Sequence, residues 1–204
     1  MFLPRTFEPA RKKRKSTKAH RLTFERFEPR HLMAADGVVA SYGSDFGSEG
    51  WSYSYNTVGQ ELQSNGGNLT ALSNFDGTYR PAVEDPSSRF LFLNRFGGHP
   101  GAAQGQVTGN TVDRYTVVTW EVPESGYYEI ADSRLEIPNG TGDGVEFRVY
   151  VNDDAPVTSG IATPSRISYF DSRLGFLAKG DSVRIAFGAN GSDSFDYFRP
   201  HGFG

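Results

Sequence analysis

The sequence predicts an all-β fold, an antiparallel sandwich or barrel of about eight to ten strands over residues 41–204. Three observations carry that expectation. Short runs of Val, Ile, Phe, Tyr and Trp are punctuated by Gly, Ser, Asn, Asp and Pro. Several of those runs alternate strictly between apolar and polar residues, which puts one strand face on a core and the other in water. No segment shows sustained helical periodicity, and no repeat of fixed period is present.

Taken in order, the first strand is Trp51 to Tyr55, with Trp51, Tyr53 and Tyr55 on one face and Ser52 and Ser54 on the other. Phe90–Leu93 and 112–122 are the next well-patterned runs, and in the second Val118, Trp120 and Val122 share a face. Pro123-Glu124-Ser125-Gly126 turns the chain into a strand at Tyr127. Asn139 to Gly144 is a Gly- and Asp-bearing turn, as needed where φ is positive or a side chain bonds the backbone. Beyond it Val145, Phe147, Val149 and Val151 share one face, and Glu146, Arg148 and Tyr150 the other. Lys179-Gly180-Asp181 leads into the last clear strand, in which Val183, Ile185 and Phe187 alternate with Arg184.

Charge divides the chain. Residues 1–30 hold ten basic side chains and three acids, a net of +7, and residues 31–204 hold 11 bases and 21 acids, a net of −10. The run RKKRK at 11–15 has three readings: a phosphate-binding patch, the basic end of an export signal, or a solvated tail. The acidic remainder would repel a polyanion, so nucleic acid is not an expected partner. Leu22, Phe24, Phe27, Leu32 and Met33 are interrupted by charges, so no stretch is apolar enough to span a membrane. Residues 1–40 are therefore expected to be a largely disordered basic leader, with a β-sandwich domain over 41–204. Cysteine is absent, which excludes cysteine nucleophiles and thiolate metal sites. A domain of this length builds a core without disulfides.

Two resemblances sharpen the expectation. FERFEPRHLMAAD, residues 24–36, resembles the N-terminal motif FExLExRxLLAAD of many exported or surface proteins of planctomycete bacteria, with Phe27 and Met33 in place of leucines. That likeness implies an extracytoplasmic destination, secreted or at the cell surface, and nothing about activity. Across the rest, the order Trp51 to Tyr55, His99-Pro100-Gly101, Trp120 to Tyr128, Gly142 to Val149, Lys179 to Val183 and Phe195-Asp196-Tyr197 resembles a jelly-roll module of exported planctomycete and verrucomicrobial proteins. It is similar, more loosely, to galactose-binding-like carbohydrate-binding modules. The resemblance implies a jelly-roll sandwich and carries no assigned ligand.

Candidate ligand-binding residues fall in two places. The Trp51, Tyr53, Tyr55 row offers flat rings on which sugar CH groups stack, and the same pattern serves equally as core packing. The segment from Asn94 to Gly101 reads as a Gly-rich loop carrying Arg95 and His99, with Gln104 following at its edge. A ligand there would bring Arg95 and His99 together, and the Gly97-Gly98 pair would let the backbone approach it. Asp143 and Asp196 are candidate oxygen ligands for a structural calcium, the only cofactor considered, although Asp143-Gly144 also reads as a hairpin turn.

Catalytic signatures are missing. There is no nucleophile elbow, zinc-protease helix or phosphate loop, and only His99 and His201 lie outside the leader. A glycosidase needs two carboxylates, for which Glu121, Glu129, Glu136 and Glu146 are available, but acids on wet strand faces are ordinary. The expectation is a non-catalytic module that binds a polysaccharide or glycan. A structural or adhesive module that binds other surface proteins is the second reading, and a small hydrolase the third.

Overall fold

The computed structural model describes residues 40–43, 45–57, 62–83, 88, 90–101, 113–138, 142–191 and 196–201. The expected leader, apart from Ala40, lies outside the described residues. The described chain is all-β and its sheets are antiparallel, as expected. The strands are β1 (Trp51–Asn56), β2 (Leu69–Ala71), β3 (Asn74–Phe75), β4 (Thr78–Arg80), β5 (Phe92–Asn94), β6 (Gly97–His99), β7 (Thr116–Glu121), β8 (Gly126–Ile130) and β9 (Arg134–Glu136). They continue with β10 (Val145–Val151), β11 (Thr158–Ala162), β12 (Ser168–Tyr169), β13 (Ser172–Leu177), β14 (Ser182–Ala189) and β15 (Arg199–His201). No helix of the described residues is long and apolar enough to cross a membrane.

The long alternating runs form one six-stranded sheet in the order β11-β10-β14-β7-β1-β2. Its register turns sequence alternation into rows across the sheet. Trp51, Trp120, Val183 and Val151 align, then Tyr53, Val118, Ile185 and Val149, then Tyr55, Thr116, Phe187 and Phe147. These rows form the inner face. Three smaller sheets supply its counterpart: β13-β8, β12-β9-β15 and β3-β4-β5-β6. Buried Ile130, Leu135, Leu177, Leu93 and Phe198 from those sheets join the same core cluster. Phe198 stacks on Phe187 with ring centroids 4.4 Å apart, and Phe170 tilts against Phe147 at 5.2 Å.

The outer face of the large sheet departs from simple alternation. Tyr115, Val117, Tyr150 and Ala186 form a second buried cluster there, with Leu62 and Leu69 packed against it. Arg184, expected in water, is buried beside it, and its guanidinium donates to the carbonyls of Ser64 and Asn152. The chain from Leu62 to Leu69 thus covers a face that period-2 reading leaves wet. Burial without a partner would be costly for a charge, so the two carbonyls are what make Arg184 tolerable there. Tyr115 donates its hydroxyl to Glu146 at 2.7 Å, and Arg148 grips the same carboxylate at 2.7 and 3.0 Å.

The buried phenols make a prediction about alkali. Burial pushes Tyr53 up to about 12 and raises Tyr42 and Tyr115 as well. A phenol whose folded value lies above its ordinary value of about 10 stabilises the fold fully below that pH. The contribution is lost as pH rises from there through the folded value. Urea midpoints should therefore be flat to about pH 10 and fall beyond it. Tyrosinate absorbance should show a late group that ionises together with unfolding. Ionisation of all tyrosines in a single wave with the fold intact would contradict the burial.

Candidate functional site

Two hollows lie near Trp51. One is an apolar cleft of about 70 Å³ between the layers, lined by Trp51, Trp120, Tyr128, Leu174 and their neighbours. Ligand pockets run from roughly 300 to 1,000 Å³, so this cleft is a packing gap at one end of the core. The other is a polar hollow of about 260 Å³ on the outer face, floored by Ser52, Thr119, Glu121 and Ser182.

The predicted aromatic row is real as a row and lies inward. Tyr53 is 4 % exposed, stacks on Tyr79 at 4.4 Å, and accepts a hydrogen bond from the Gly47 amide at 2.9 Å. Trp51 and Tyr55 are half-buried against the same core. Their faces are largely committed to protein, which is the packing reading of that pattern.

The predicted loop around His99 is a β-hairpin. β5 and β6 pair as Phe92 with His99, Leu93 with Gly98 and Asn94 with Gly97, leaving Arg95-Phe96 as a two-residue turn. The Asn94 side chain accepts from the Phe96 amide at 2.9 Å, which explains the turn. From beneath, the buried Tyr42 hydroxyl donates to the Asn94 carbonyl at 2.7 Å. Gly98 does permit a close backbone approach, but to protein: its amide and carbonyl pair with Phe198 at 3.1 and 2.9 Å. A Cβ there would stand 2.7 Å from the Phe92 oxygen and 2.8 Å from the Phe198 ring.

That Gly98–Phe198 bridge has a consequence for the outward face. Tyr79, Leu93, Gly98 and Phe198 form one row across four chain segments, and Leu93, Gly98 and Phe198 are buried. Moving one residue along each segment reverses the face. The neighbouring row is therefore Arg80, Phe92, His99 and Tyr197, pointing outward. Ring geometry agrees. Phe92 lies 6.3 Å from His99 and 6.1 Å from Tyr197, with planes only 27° and 25° apart. Those separations mean offset rings rather than face-to-face stacks.

Cations flank the rings. The Arg80 guanidinium lies 5.2 Å over Phe92, and the Arg199 guanidinium 5.9 Å over Tyr197. Phe90, 55 % exposed, stands 6.0 Å from His99. His99 sets its ring by an Nδ1 contact of 2.6 Å to the Pro100 carbonyl oxygen. His201, two residues after Arg199, reaches the Glu136 carboxylate through Nε2 at 2.9 Å. From Arg80 to Tyr197 the row spans three strand spacings, roughly 14 Å.

The other predicted residues are scattered. Arg95 sits at the hairpin tip with its guanidinium 5.0 Å over Phe96, away from the His99 end of the ladder. Gln104 lies outside the described residues. Asp143 is exposed in the turn before β10, and Asp196 is fully buried beside Tyr197. Among the described residues no group of three histidine, aspartate or glutamate side chains could hold a metal ion. The four glutamates considered for catalysis are also dispersed: Glu121 in the outer hollow, Glu129 on the cleft, Glu136 on His201, and Glu146 on Tyr115 and Arg148. Of the residues in and beside this row the sequence singles out His99 alone; Arg80, Phe92, Tyr197 and Arg199 share with it only a cross-strand register.

No protein-family model, curated protein or solved structure matches this chain.

Proposed function

We propose that this chain is a non-catalytic, extracytoplasmic carbohydrate-binding β-sandwich module whose ligand lies along the Arg80–Phe92–His99–Tyr197 row. The observation that supports it is the run of offset, near-parallel rings on an outward sheet face, half-buried and so held in place by the fold. Sugar CH groups stack on such rings, and fixed aromatics provide contact area at low entropy cost. Guanidinium and imidazole groups along the row add hydrogen-bond partners for hydroxyls. A flat face suits a polymer chain, which needs a track rather than a pocket. The resemblance of residues 24–36 to exported planctomycete proteins supports the location.

Affinity electrophoresis on plant and algal polysaccharides tests this. The wild-type protein should be retarded by at least one polymer. Phe92→Ala and Tyr197→Ala should each weaken that retention about tenfold, the loss of about 1.5 kcal/mol of ring contact. Arg95→Ala, at the hairpin tip, should leave it unchanged. Retention equal in all variants, or in none of the polymers, would overturn the proposal.

A second reading, an adhesive module that binds a surface protein, is favoured by a different patch. Tyr127 and Phe176 face each other across β8 and β13, 78 % and 61 % exposed, with ring centroids 5.6 Å apart. Exposed aromatic pairs of this kind are typical anchors for protein partners. Tyr127→Ser combined with Phe176→Ser should abolish attachment to the cell surface under that reading and leave it intact under the first.

A further inference from the structure

We infer that the saccharide bound along this row is anionic, carrying carboxylate or sulfate groups that Arg80 and Arg199 receive; the inference rests on the carbohydrate reading of the same site. The argument begins with how the two arginines are held. Each lies over an aromatic ring, Arg80 over Phe92 and Arg199 over Tyr197. At those distances the ring face attracts the guanidinium and favours its place beside the row. Its N–H donors lie in its own plane, in the fork that matches a carboxylate or sulfate bidentately. The attraction also restricts the side chain, so less entropy is lost when an anion arrives.

Local charge points the same way. Residues 31–204 carry 21 acids against 11 bases, so an arbitrary patch of this domain should be acidic. The outward positions of β4, β5, β6 and the 197–201 segment break that expectation. They are Thr78, Arg80, Phe92, Asn94, Gly97, His99, Tyr197, Arg199 and His201, with no acid among them. Glu136, across the register from Arg199, is engaged by His201 at 2.9 Å. The ion pairs formed among the described residues belong to Arg148, Arg184 and His201, and neither Arg80 nor Arg199 takes part in them. The domain's more distant acids are screened, because the Debye length at physiological ionic strength is about 8 Å. Among the described residues of these segments, the arginines are therefore the groups that an anion at the row would engage.

A neutral glycan would use the rings and leave the two forks unfilled. A nucleic acid would be drawn by the same forks, but its phosphates repeat along a duplex and need an extended basic track. Here the row carries two arginines, Arg80 and Arg199, rather than such a track. A polyuronate or sulfated polymer matches that arrangement, with apolar ring faces for the aromatic tiles and anionic substituents for the ends.

The test uses polymer pairs that differ in whether their acidic substituents are present and free. Polygalacturonate is compared with its fully methyl-esterified form, sulfated carrageenan with its desulfated form, and duplex DNA serves as a non-saccharide polyanion. Binding is measured on the full chain at two salt concentrations. The charged member of at least one pair should bind tenfold or more tighter than its neutral partner, and tighter than DNA. The pair that shows it identifies carboxylate or sulfate as the recognised group. Arg80→Gln and Arg199→Gln should each reduce that preference about fivefold. Arg80→Lys should restore only part of it, since a lysine lacks the fork. Circular dichroism should be unchanged, because Arg199 is exposed and Arg80 half-exposed. Equal affinity for charged and neutral members would overturn the anionic inference while leaving the carbohydrate reading standing. A charge preference that survives Arg80→Gln/Arg199→Gln would overturn it too, as would DNA binding as tight as the preferred charged polymer. Failure to bind any polymer would sink both.

Discussion

Replacing Phe198 by alanine is expected to remove about 3–5 kcal/mol of folding stability, the usual cost of deleting a buried phenylalanine ring. Phe198 is fully buried and makes two structural contributions. Its ring stacks on Phe187 of β14 at 4.4 Å, so it ties the small sheets to the large one. Its backbone pairs with Gly98, so it also joins β6 to the 196–201 segment. The cavity left behind opens between elements that share no turn, and local collapse cannot close it. Because a domain of this size is stable by only about 5–15 kcal/mol, a large share of the total is at stake. Urea unfolding should show a lower midpoint at unchanged slope. Under the proposed function the variant should also bind saccharide poorly, since the same bridge sets the register of Tyr197 opposite His99. A loss below about 1 kcal/mol would mean that the two layers do not meet at this ring.

The second large effect is expected at Gly188, on the outer face of β14. A Cβ there would stand 2.6–2.7 Å from ring atoms of Tyr115. The ring cannot swing away cheaply. Its hydroxyl is fixed to Glu146 at 2.7 Å, and the Arg148 guanidinium lies 5.1 Å from its centroid. Gly188→Ala should therefore cost about 1–3 kcal/mol, the range for forcing extra volume into a packed site. Gly126→Ala is the comparison: its Cβ meets nothing closer than 3.6 Å, and its effect should fall within about 0.5 kcal/mol. Adding Tyr115→Ala to Gly188→Ala should recover part of the loss, and the non-additivity measures the clash directly. If Gly188→Ala and Gly126→Ala unfold alike, the outer-face cluster is not tightly packed.

The parts of the fold legible in the sequence are those whose information is local. β10 and β14 alternate over seven and eight residues, long enough for period 2 to stand out. β3 and β12 are two residues long and have no period to detect. They exist because longer neighbours present free backbone edges to them. Arg184 and Tyr150 alternate like solvent-facing residues, and only the return of the chain at 62–69 buries them. Composition cannot report a cover supplied from eighty or more residues away.

The site divides in the same manner. Trp51, Tyr53 and Tyr55 were correctly legible as one face, since that follows from strand geometry, but which face meets the core depends on the opposite layer. His99 stood out because its residue type is rare here. Its partners did not, because Arg80, Phe92 and Tyr197 come together only through pairings with long sequence separation. The glycines of the hairpin were legible as a point of close approach. That the approaching group is the Phe198 backbone required the fold.

The measurement that bears most directly on the aromatic row as a saccharide track is a two-dimensional amide NMR titration with the polymer that retards the protein. Shifts should concentrate at Arg80, Phe92, His99 and Tyr197, with the indole of Trp51 and the amides of Tyr127 and Phe176 unmoved. Perturbation centred on Trp51, or on the Tyr127–Phe176 pair, with the row silent would contradict it.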